Sequence, residues 1–364
     1  MKAAVLYEIH EPLRVVDLEI EDPKAGEVKV NVGAAGICLS DHHFMEGTGT
    51  TVRPVVLGHE GSGTVTEVGP GVTAVKPGDR CILSFVSHCG NCTMCQSGSP
   101  QLCLTNRATG VRQFDGTTRL KDGEGQAVHQ LSKISVFAEQ SIVPAQACHP
   151  IPADVPLEVA ALIGCCVTTG VGAVINNPMM KAGATVAVFG VGGVGVNVIQ
   201  GARLMNASRI IAVDIKREKL DFCKRFGATD FVDASEVDPV AAVKELTGGG
   251  VDMAFEVFGS GKTIAQCVDV LRPNGTAVMV GLAPEADRAS LEVTGIVRNQ
   301  KHLMGCYYGS ASPHETFNKV LDFYRRGLID VSGQITRRYS LDQINEAFED
   351  LVAGKAGRGV IAYS

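Results

Sequence analysis

A glycine-rich turn between an apolar strand and a helix is the feature that most restricts the fold of this chain. The apolar run Thr185–Phe189 is followed by the closely spaced glycines Gly190, Gly192, Gly193 and Gly195. Asp214 ends the next apolar run, 19 residues after the last of these glycines. In this strand–turn–helix–strand setting the pattern indicates a dinucleotide-binding βαβ unit, and a purely structural turn is the weaker alternative.

Each part of this turn has a physical role. Gly190 permits a tight turn, Gly192 lets the backbone approach a pyrophosphate, and Gly195 brings the helix against the strand. Backbone N–H groups at the start of the helix then face the phosphates. A carboxylate at Asp214 would accept hydrogen bonds from the ribose diol and repel a 2′-phosphate, so the sequence predicts NAD. The basic Lys216 beside it is of the kind that can meet a 2′-phosphate.

Short apolar runs alternate with helical patterns from Leu157 onward, which is typical of a parallel sheet covered on both faces. The predicted strands are Thr185–Phe189, Ile210–Asp214, Phe231–Val232, Asp252–Val257 and Thr276–Val280. The predicted helices between them are Gly195–Met205, Arg217–Phe226, Pro239–Leu246 and Thr263–Leu271. We expect an α/β fold, with a Rossmann doubly wound NAD-binding domain at residues 161–299.

The first 150 residues read instead as short β-rich segments separated by glycine and proline. Residues 1–160 and 300–364 are therefore predicted to form a second, β-rich catalytic domain. Within it the polar stretch Thr109 to Leu131 is predicted to be a surface hairpin or loop.

Four cysteines on one short loop indicate a structural zinc site. Their spacing is C-x2-C-x2-C-x7-C, formed by Cys89, Cys92, Cys95 and Cys103. Four thiolates close a tetrahedral Zn²⁺ site with no open position, so the metal would stabilise a lobe at about residues 86–106. A disulfide framework is the alternative, and it does not suit a reduced compartment.

A second candidate metal site consists of Cys38, His59 and Cys165. Two thiolates and one imidazole would leave a fourth zinc position for water or substrate, as catalytic sites require. Spacing alone does not show that such distant ligands converge, and a buried cysteine is usually a small hydrophobic residue.

Composition limits the class of protein. At 364 residues two domains are expected, and a net charge of −6 argues against a nucleic-acid surface. Glu8 and His10 come too early for a signal peptide, and the run Thr185 to Ile199 is short for a membrane span. We expect a cytoplasmic protein with no membrane or nucleic-acid partner.

The order of these motifs resembles that of the zinc-dependent medium-chain alcohol dehydrogenases, in particular the horse-liver-like type. The matching motifs are Cys38-Leu39-Ser40-Asp41, Gly58-His59-Glu60, the four-cysteine loop, Gly164-Cys165 and the glycine turn. The resemblance implies a GroES-like catalytic domain beside the Rossmann domain. It also implies two zinc ions per chain and reversible oxidation of a primary alcohol, aromatic or longer-chain, to an aldehyde with NAD.

Residue roles follow from the same resemblance. Ser40 would take the proton of the alcohol and His43 would relay it to solvent. Asp41 would orient the ligand His59, and Glu60 would be an occasional alternative ligand. Phe85 would line the substrate pocket. The coenzyme would be held by Thr169, Gly190, Gly192, Gly193, Val194, Gly195, Asp214, Lys219 and Arg358.

Some positions depart from the family pattern and keep alternatives open. Leu39 stands where many relatives have a basic residue on the pyrophosphate, which should change cofactor affinity. The resemblance implies acidic residues about a dozen places after the first zinc cysteine in the glutathione-dependent formaldehyde dehydrogenases. Here Gly47 to Thr51 contain none, which argues against a glutathione-adduct substrate. A nicotinoprotein with permanently bound NAD(H), a thiol-dependent formaldehyde dehydrogenase and an inactive binding protein are the alternatives. The full-length span from Cys103 to Cys165 favours a homodimer.

Overall fold

The computed structural model describes residues 1–363. Its strands are β1 (Lys2–Leu6), β2 (Arg14–Asp17), β3 (Glu19–Ile20), β4 (Glu27–Gly36), β5 (Val55–Val56), β6 (Gly61–Val68), β7 (Arg80–Leu83), β8 (Leu120–Lys121), β9 (Ala127–Gln130), β10 (Gln140–Pro144), β11 (Cys148–Pro150), β12 (Thr185–Phe189), β13 (Arg209–Asp214), β14 (Asp230–Asp233), β15 (Val251–Glu256), β16 (Leu271–Met279), β17 (His302–Gly305), β18 (Ile335–Tyr339) and β19 (Arg358–Ala362). Its α-helices are α1 (Leu39–Met45), α2 (Thr93–Gln96), α3 (Leu104–Thr109), α4 (Leu157–Leu162), α5 (Thr168–Ile175), α6 (Gly193–Leu204), α7 (Arg217–Cys223), α8 (Pro239–Thr247), α9 (Gly261–Asp269), α10 (Val293–Arg298), α11 (Pro313–Arg325) and α12 (Ile344–Val352).

Six strands form the parallel sheet that the alternating pattern predicted. Their order is β14-β13-β12-β15-β16-β17, and every neighbouring pair is parallel. The strand order reverses between β12 and β15, the place where doubly wound sheets bind nucleotides. Four of the five predicted strands agree with the structure within one residue at each end, whereas β16 begins at Leu271, earlier than the predicted Thr276.

The β-rich part of the chain forms two further sheets. One has the order β2-β1-β5-β9-β8-β3, and the other has the order β11-β7-β6-β4-β19-β18 with β10 paired to β4. β4 lies at the centre of the second sheet because it pairs with β6, β10 and β19. Since β19 comes from the end of the chain, the terminal segment folds back onto the β-rich part.

A continuous helical stretch from Leu157 to Ile175 joins the two parts. It consists of α4, a π-helical turn at Ile163–Val167 and α5. By length and composition alone this stretch could cross a membrane, with a mean hydropathy of 1.9, but 83% of it is buried inside the protein. The sequence analysis had singled out a different apolar run, residues 185–199, which proves to be β12 and the start of α6. π-turns interrupt α-helices most often at functional sites, and this one carries Cys165.

The polar stretch 109–131 contains the predicted hairpin, formed by β8 and β9. The hairpin is not only a surface feature, because one of its side chains is buried in the protein. The guanidinium of Arg119 is buried, and it donates to both carboxylate oxygens of Glu27 at 2.8 and 2.6 Å and to Asp115 at 2.7 Å. These paired charges satisfy a buried cation that would otherwise destabilise the fold.

Candidate active site

Three predicted metal ligands from separate elements converge in the core. Cys38 immediately precedes α1, His59 lies two residues before β6, and Cys165 lies on the π-turn. All three are buried, and their ligand atoms lie within 4.8 Å of one another. Sγ of Cys165 is 3.4 Å from Nε2 of His59. The spacing of the sequence could not show this convergence, and the structure does.

Asp41 fixes the orientation of the His59 ring. Its carboxylate lies 3.0 Å from Nδ1 of His59, and its other oxygen accepts the N–H of Gly58 at 3.0 Å. Burial raises the pKa of Asp41, and the imidazole only partly offsets that effect. With Nδ1 turned to the carboxylate, Nε2 faces the two thiols, which is the arrangement of a metal-bound histidine.

The donor set fits zinc. Burial disfavours a charged His59, yet Asp41 and Cys38 outweigh it and raise the pKa of that imidazole. A hydrogen bond from Cys165 lowers the pKa of Cys38 well below its usual value, so one thiol of the pair readily becomes a thiolate. Two sulfur ligands and one imidazole nitrogen in a buried site are the ligands that zinc prefers.

Glu60 lies outside this group of three ligands. It is fully buried, and its Oε2 accepts Nη2 of Arg358 at 2.5 Å. Burial raises the pKa of Glu60 to about 7 although the guanidinium opposes the shift. The same guanidinium rests on the glycine turn, because a Cβ added to Gly193 would lie 2.4 Å from Nη1 of Arg358. One buried ion pair therefore connects the zinc-ligand region with the coenzyme turn.

The coenzyme cleft is built as the glycine pattern predicted. Gly190 has a φ of +89°, and a Cβ on Gly195 would lie 2.0 Å from the carbonyl oxygen of Gly190. Asp214 accepts the N–H groups of Val191 at 2.9 Å and Lys216 at 3.0 Å, which holds its carboxylate at the rim. Predicted coenzyme residues line this cleft, namely Gly192, Gly193, Lys219 and Arg358.

Two further predicted coenzyme-binding residues lie on adjacent helices. Thr169 is on α5 and Val194 is on α6, and the helices approach so closely that a Cβ on Gly170 would lie 2.4 Å from the carbonyl oxygen of Val194. Ser40 and His43 both lie on α1, three positions apart, so they share one face of that helix. Both side chains are half-buried.

An aromatic wall stands beside the metal ligands. The ring of Phe85 packs edge-on against His59 at 5.3 Å between centroids, and Tyr307 packs edge-on against Phe85 at 6.4 Å. Tyr308 lies 4.0 Å from Phe85 and donates its hydroxyl to the carbonyl of Gly164. Phe85 was the one member of this wall that the sequence analysis named.

Sequence reasoning missed Tyr307 and Arg107. Burial raises the pKa of Tyr307, while the charge of Arg107 and an ionised His59 lower it, so the phenol lies within electrostatic reach of both groups. Tyr307 lies two residues after β17, beyond the carboxyl end of a parallel strand, where ligands bind in such sheets. The position of Tyr307 after a strand was therefore the sequence signal that could have identified it as a candidate site residue.

The four-cysteine loop has the geometry of a thiolate metal site. Backbone N–H groups point at its sulfurs, from Cys92 to Cys89 at 3.3 Å, from Leu104 to Cys92 at 3.4 Å and from Asn106 to Cys103 at 3.4 Å. The four ligand atoms converge within 4.8 Å. No disulfide is formed among the cysteines of residues 1–363, so the disulfide alternative finds no support in the structure.

Comparison with known proteins gives a consistent result. Residues 24–153 match the family described as alcohol dehydrogenase GroES-like domain, and residues 193–326 match the family described as zinc-binding dehydrogenase. Similar curated proteins include the alcohol dehydrogenase class-3 of Cereibacter sphaeroides, 36% identical over 100% of this chain and 99% of the relative. The S-(hydroxymethyl)glutathione dehydrogenases of Paracoccus denitrificans and Saccharomyces cerevisiae are also 36% identical, over 100% and 99% of this chain and 99% and 95% of the respective relatives.

Solved structures share the architecture over the whole chain. An alcohol dehydrogenase zinc-binding domain protein from Burkholderia ambifaria has a TM-score of 0.95 at 32% identity, covering 100% of this chain and 98% of that one. A benzyl alcohol dehydrogenase from Acinetobacter calcoaceticus has a TM-score of 0.91 at 32% identity, covering 100% and 99%. A zinc-binding dehydrogenase from Sinorhizobium meliloti bound to NADP has a TM-score of 0.82 at 27% identity, covering 100% and 99%.

Proposed function

The chain belongs to the zinc-dependent medium-chain alcohol dehydrogenase family, and from this we propose that it oxidises a primary alcohol to the aldehyde with NAD. Zinc and a nicotinamide dinucleotide are its cofactors. The observation that carries the proposal is the convergence of Cys38, His59 and Cys165 within 4.8 Å of one another, beside the aromatic wall. Residues 1–160 and 300–364 would form the catalytic domain, and residues 161–299 the NAD-binding domain.

Two metal sites are proposed per chain. Cys38, His59 and Cys165 would hold the catalytic zinc, and the four-cysteine loop would hold the structural zinc. When bound, the catalytic metal polarises the alcohol oxygen and the nicotinamide accepts the hydride. Asp41 holds the His59 ring for metal binding through the 3.0 Å contact with Nδ1.

Two residues of α1 would remove the proton of the alcohol. Ser40 lies two residues after Cys38, and its hydroxyl would accept the proton of the alcohol. His43 shares the face of α1 with Ser40, and it would pass the proton to solvent. Cys38, His59 and Cys165 are buried, and a site closed to water in this way would favour hydride transfer.

Coenzyme selection would rest on Asp214. Its carboxylate, held at the cleft rim by the N–H groups of Val191 and Lys216, would accept hydrogen bonds from the ribose diol. The same charge would repel a 2′-phosphate, which favours NAD. Arg358, lining the cleft on Gly193, would meet the pyrophosphate.

The aromatic wall beside His59 supports an aromatic or longer alcohol as the substrate. Phe85 and Tyr307 present ring faces and edges next to His59, and such surfaces bind aromatic rings by offset or edge-on packing. The benzyl alcohol dehydrogenase of A. calcoaceticus shares the fold over its whole length.

Thiol-dependent formaldehyde oxidation is the second candidate, and the names of the similar curated proteins favour it. A thiol adduct such as S-(hydroxymethyl)glutathione is itself a primary alcohol that carries carboxylates. Arg107 is exposed, makes no ion pair within residues 1–363, and lies in electrostatic reach of Tyr307. It is thus a cation that could meet such a carboxylate. The lack of acids between Gly47 and Thr51 argues against glutathione itself, which leaves another thiol as the partner of formaldehyde under this candidate function.

A comparison of substrates separates the two candidates. The purified enzyme is given NAD⁺ with benzyl alcohol, with formaldehyde alone, or with formaldehyde plus glutathione, and NADH formation is followed by absorbance. A higher kcat/KM for benzyl alcohol than for the glutathione mixture supports the primary proposal. A rate that requires both formaldehyde and the thiol replaces it with the second candidate.

The coenzyme is proposed to exchange with solvent rather than to stay bound. Leu39 is exposed and carries no charge for the pyrophosphate, so Arg358 is left as the guanidinium of the cleft. NAD(H) should therefore be lost on gel filtration. Full retention of NADH by the purified protein would identify a nicotinoprotein.

A homodimer is proposed through the free edge of the parallel sheet. Within residues 1–363 β17 pairs only with β16, and Leu303 on it is 38% exposed. Val293 and Val297 on the preceding α10 are each 70% exposed, an apolar surface that a second copy would cover. Light scattering coupled to gel filtration should give twice the chain mass of 38.3 kDa. A cytoplasmic location accords with the reduced cysteines.

A further inference from the structure

A buried lysine lies close to the four-cysteine loop, and the proposed reaction does not use it. The side chain of Lys133 is fully buried, which is rare for a lysine. Its Nζ donates to the carbonyl oxygen of Asn106 at 3.2 Å, to Oδ1 of Asn106 at 3.0 Å and to the carbonyl oxygen of Gly110 at 2.9 Å. These oxygen atoms only accept hydrogen bonds, so three donated hydrogens identify the group as a charged ammonium.

The accepting atoms lie within α3 or directly after it, and α3 also contacts the cysteine sulfurs. Each of its first three residues donates to a different sulfur. These hydrogen bonds run from the N–H of Leu104 to Cys92 at 3.4 Å, from the hydroxyl of Thr105 to Cys89 at 3.2 Å and from the N–H of Asn106 to Cys103 at 3.4 Å. Hydrogen bonds of this kind stabilise the thiolate, which is the form of cysteine that binds a metal.

Asn106 links the two sets of contacts. It donates its N–H to Cys103, and it accepts from Lys133 through both its carbonyl oxygen and its side chain. The helix α3 has only six residues, and helices this short are not stable by themselves. The placement of α3 against the sulfurs therefore depends on tertiary contacts, and the ammonium of Lys133 supplies three hydrogen bonds among them.

The backbone at this lysine is strained. Ser132 has a φ of +54° and Lys133 a φ of +63°. This left-handed conformation is unfavourable for residues that carry a Cβ atom, and it persists where the surrounding contacts hold it in place. The contacts of the buried ammonium are of the kind that would hold it.

The charge of Lys133 is opposite to that of the cysteine loop. Within residues 1–363 no carboxylate forms an ion pair with this ammonium, and the ring centroid of Phe114 lies 5.5 Å from it. Burial lowers the pKa of Lys133 to about 8, and the charge of Cys103 opposes that shift, so the ammonium lies within electrostatic reach of a loop sulfur. Four thiolates around one Zn²⁺ leave a net negative charge that a buried cation would balance.

We propose that Lys133 is a positioning residue of the structural zinc site. Its ammonium holds Asn106 and the end of α3 so that this helix keeps its hydrogen bonds to the sulfurs, and its charge balances that of the thiolates. This role rests on the proposed zinc of the four-cysteine loop and involves neither the alcohol nor the coenzyme. Groups that hold metal ligands in place contribute about 10–100-fold to metal affinity. Loss of the ammonium should therefore speed release of this zinc by about the same factor.

Zinc release from the purified holoenzyme tests this role. The protein is mixed with an excess of a chromogenic chelator, and Cys95→Ser, which lacks a ligand of the loop, identifies the phase that belongs to the structural zinc. Lys133→Met should release the structural zinc about 10–100-fold faster than wild type, while the catalytic zinc leaves at the wild-type rate. Lys121→Met is the matched control, because that side chain is 47% exposed and pairs with Glu21, and it should release both ions as wild type does.

Asn106→Ala is a milder second variant, because it removes one acceptor of the ammonium and keeps the N–H that contacts Cys103. It should also speed release of the structural zinc. The double variant with Lys133→Met should release it no faster than Lys133→Met alone, since both changes disrupt the same contact. Asn106→Ala decides the question if Lys133→Met does not fold.

Release of the structural zinc at the wild-type rate, from Lys133→Met or from Asn106→Ala, would overturn the role of Lys133. Equally faster release of both zinc ions would overturn it as well, because that result indicates a general loss of stability. A wild-type protein without zinc in the loop would reject the structural site and this role together. Because alcohol oxidation is not part of the readout, a different substrate would leave the test unaffected.

Discussion

At the scale of single residues, the carboxylate of Asp41 decides which nitrogen of the His59 imidazole carries the hydrogen atom. Asp41 is fully buried and holds Nδ1 of His59, which directs Nε2 toward Cys165. A carboxylate that accepts the other N–H of a metal-binding imidazole fixes the orientation of the ring and raises its basicity. We therefore expect Asp41 to affect metal binding through His59, without contacting the metal itself.

Replacing Asp41 with Asn should weaken retention of the catalytic zinc by about 10–100-fold, because the amide holds the imidazole less strongly than the carboxylate. The measurement is zinc loss to a chelator over time, followed together with activity. The structural zinc should leave at the wild-type rate, which serves as the internal control. Unchanged retention of both ions would show that Asp41 does not position His59.

A second residue-scale prediction concerns the coenzyme. Asp214→Ser removes the charge that would bind the ribose diol and repel a 2′-phosphate. Charged hydrogen bonds are worth about 1.5–3 kcal/mol, so the ratio of kcat/KM for NAD over NADP should fall by roughly 10–100-fold. The ratio is the readout because the loss of the Val191 contact would affect both coenzymes equally. A ratio that does not move would place coenzyme selection elsewhere.

At the scale of elements, two glycines of the strand–turn–helix unit have different roles. A Cβ on Gly195 would lie 2.0 Å from the carbonyl oxygen of Gly190, whereas a Cβ on Gly192 would meet nothing within 4 Å. The first glycine is thus needed for the fold, and the second is needed for the ligand that approaches the turn.

Alanine variants should separate the role of one glycine in folding from the role of the other in coenzyme binding. Gly195→Ala should destabilise the protein by about 1–3 kcal/mol through overpacking and should lower its Tm. Gly192→Ala should keep the wild-type Tm yet bind NAD(H) more weakly, because its methyl group occupies the cleft. Calorimetry and NADH fluorescence titration measure the two effects. A normal Tm for Gly195→Ala, or normal NADH affinity for Gly192→Ala, would contradict the assignment.

The four-cysteine lobe provides the next prediction. Cys95→Ser removes one of four sulfur ligands on a loop whose regular structure is a single turn of helix, α2, and the short α3. Because metal binding and folding of such loops are coupled, zinc content should fall by one ion per chain and the Tm should decrease. Cys223→Ser, at a buried thiol outside both metal groups, should keep both zinc ions. Equal zinc content in the two variants would argue against a zinc-bound lobe.

Elements were the level at which the sequence was most informative. Strand β12 was predicted to the residue, because a turn that must admit a pyrophosphate restricts both residue type and spacing. The helix that follows the turn begins at Gly193, two residues before its predicted start at Gly195. The π-turn that carries Cys165 was not predicted, because the apolar pattern from Leu157 onward indicates only that the segment is helical. Apolar periodicity does not distinguish a helix interruption from a wider helical turn.

At the scale of the whole molecule, the site depends on contacts that sequence patterns do not record. Glu60 and Arg358 are 298 residues apart and form a buried ion pair that joins the zinc-ligand region to the coenzyme cleft. Tyr307 reaches the aromatic wall from the end of the parallel sheet, and His149 meets His314 across 165 residues. The resemblance supplied roles for Glu60 and Arg358 separately, whereas their pairing required the fold.

Cys165→Ser tests the central claim most directly, through zinc content and NADH formation from benzyl alcohol measured on the same sample. The variant should retain the structural zinc, lose the catalytic ion and lose roughly a thousandfold in rate, since metal polarisation supplies several kcal/mol. Cys166→Ser, at the neighbouring buried thiol outside the ligand group, should keep both zinc ions. If Cys165→Ser keeps both zinc ions and the wild-type rate, then Cys38, His59 and Cys165 are not the catalytic metal site.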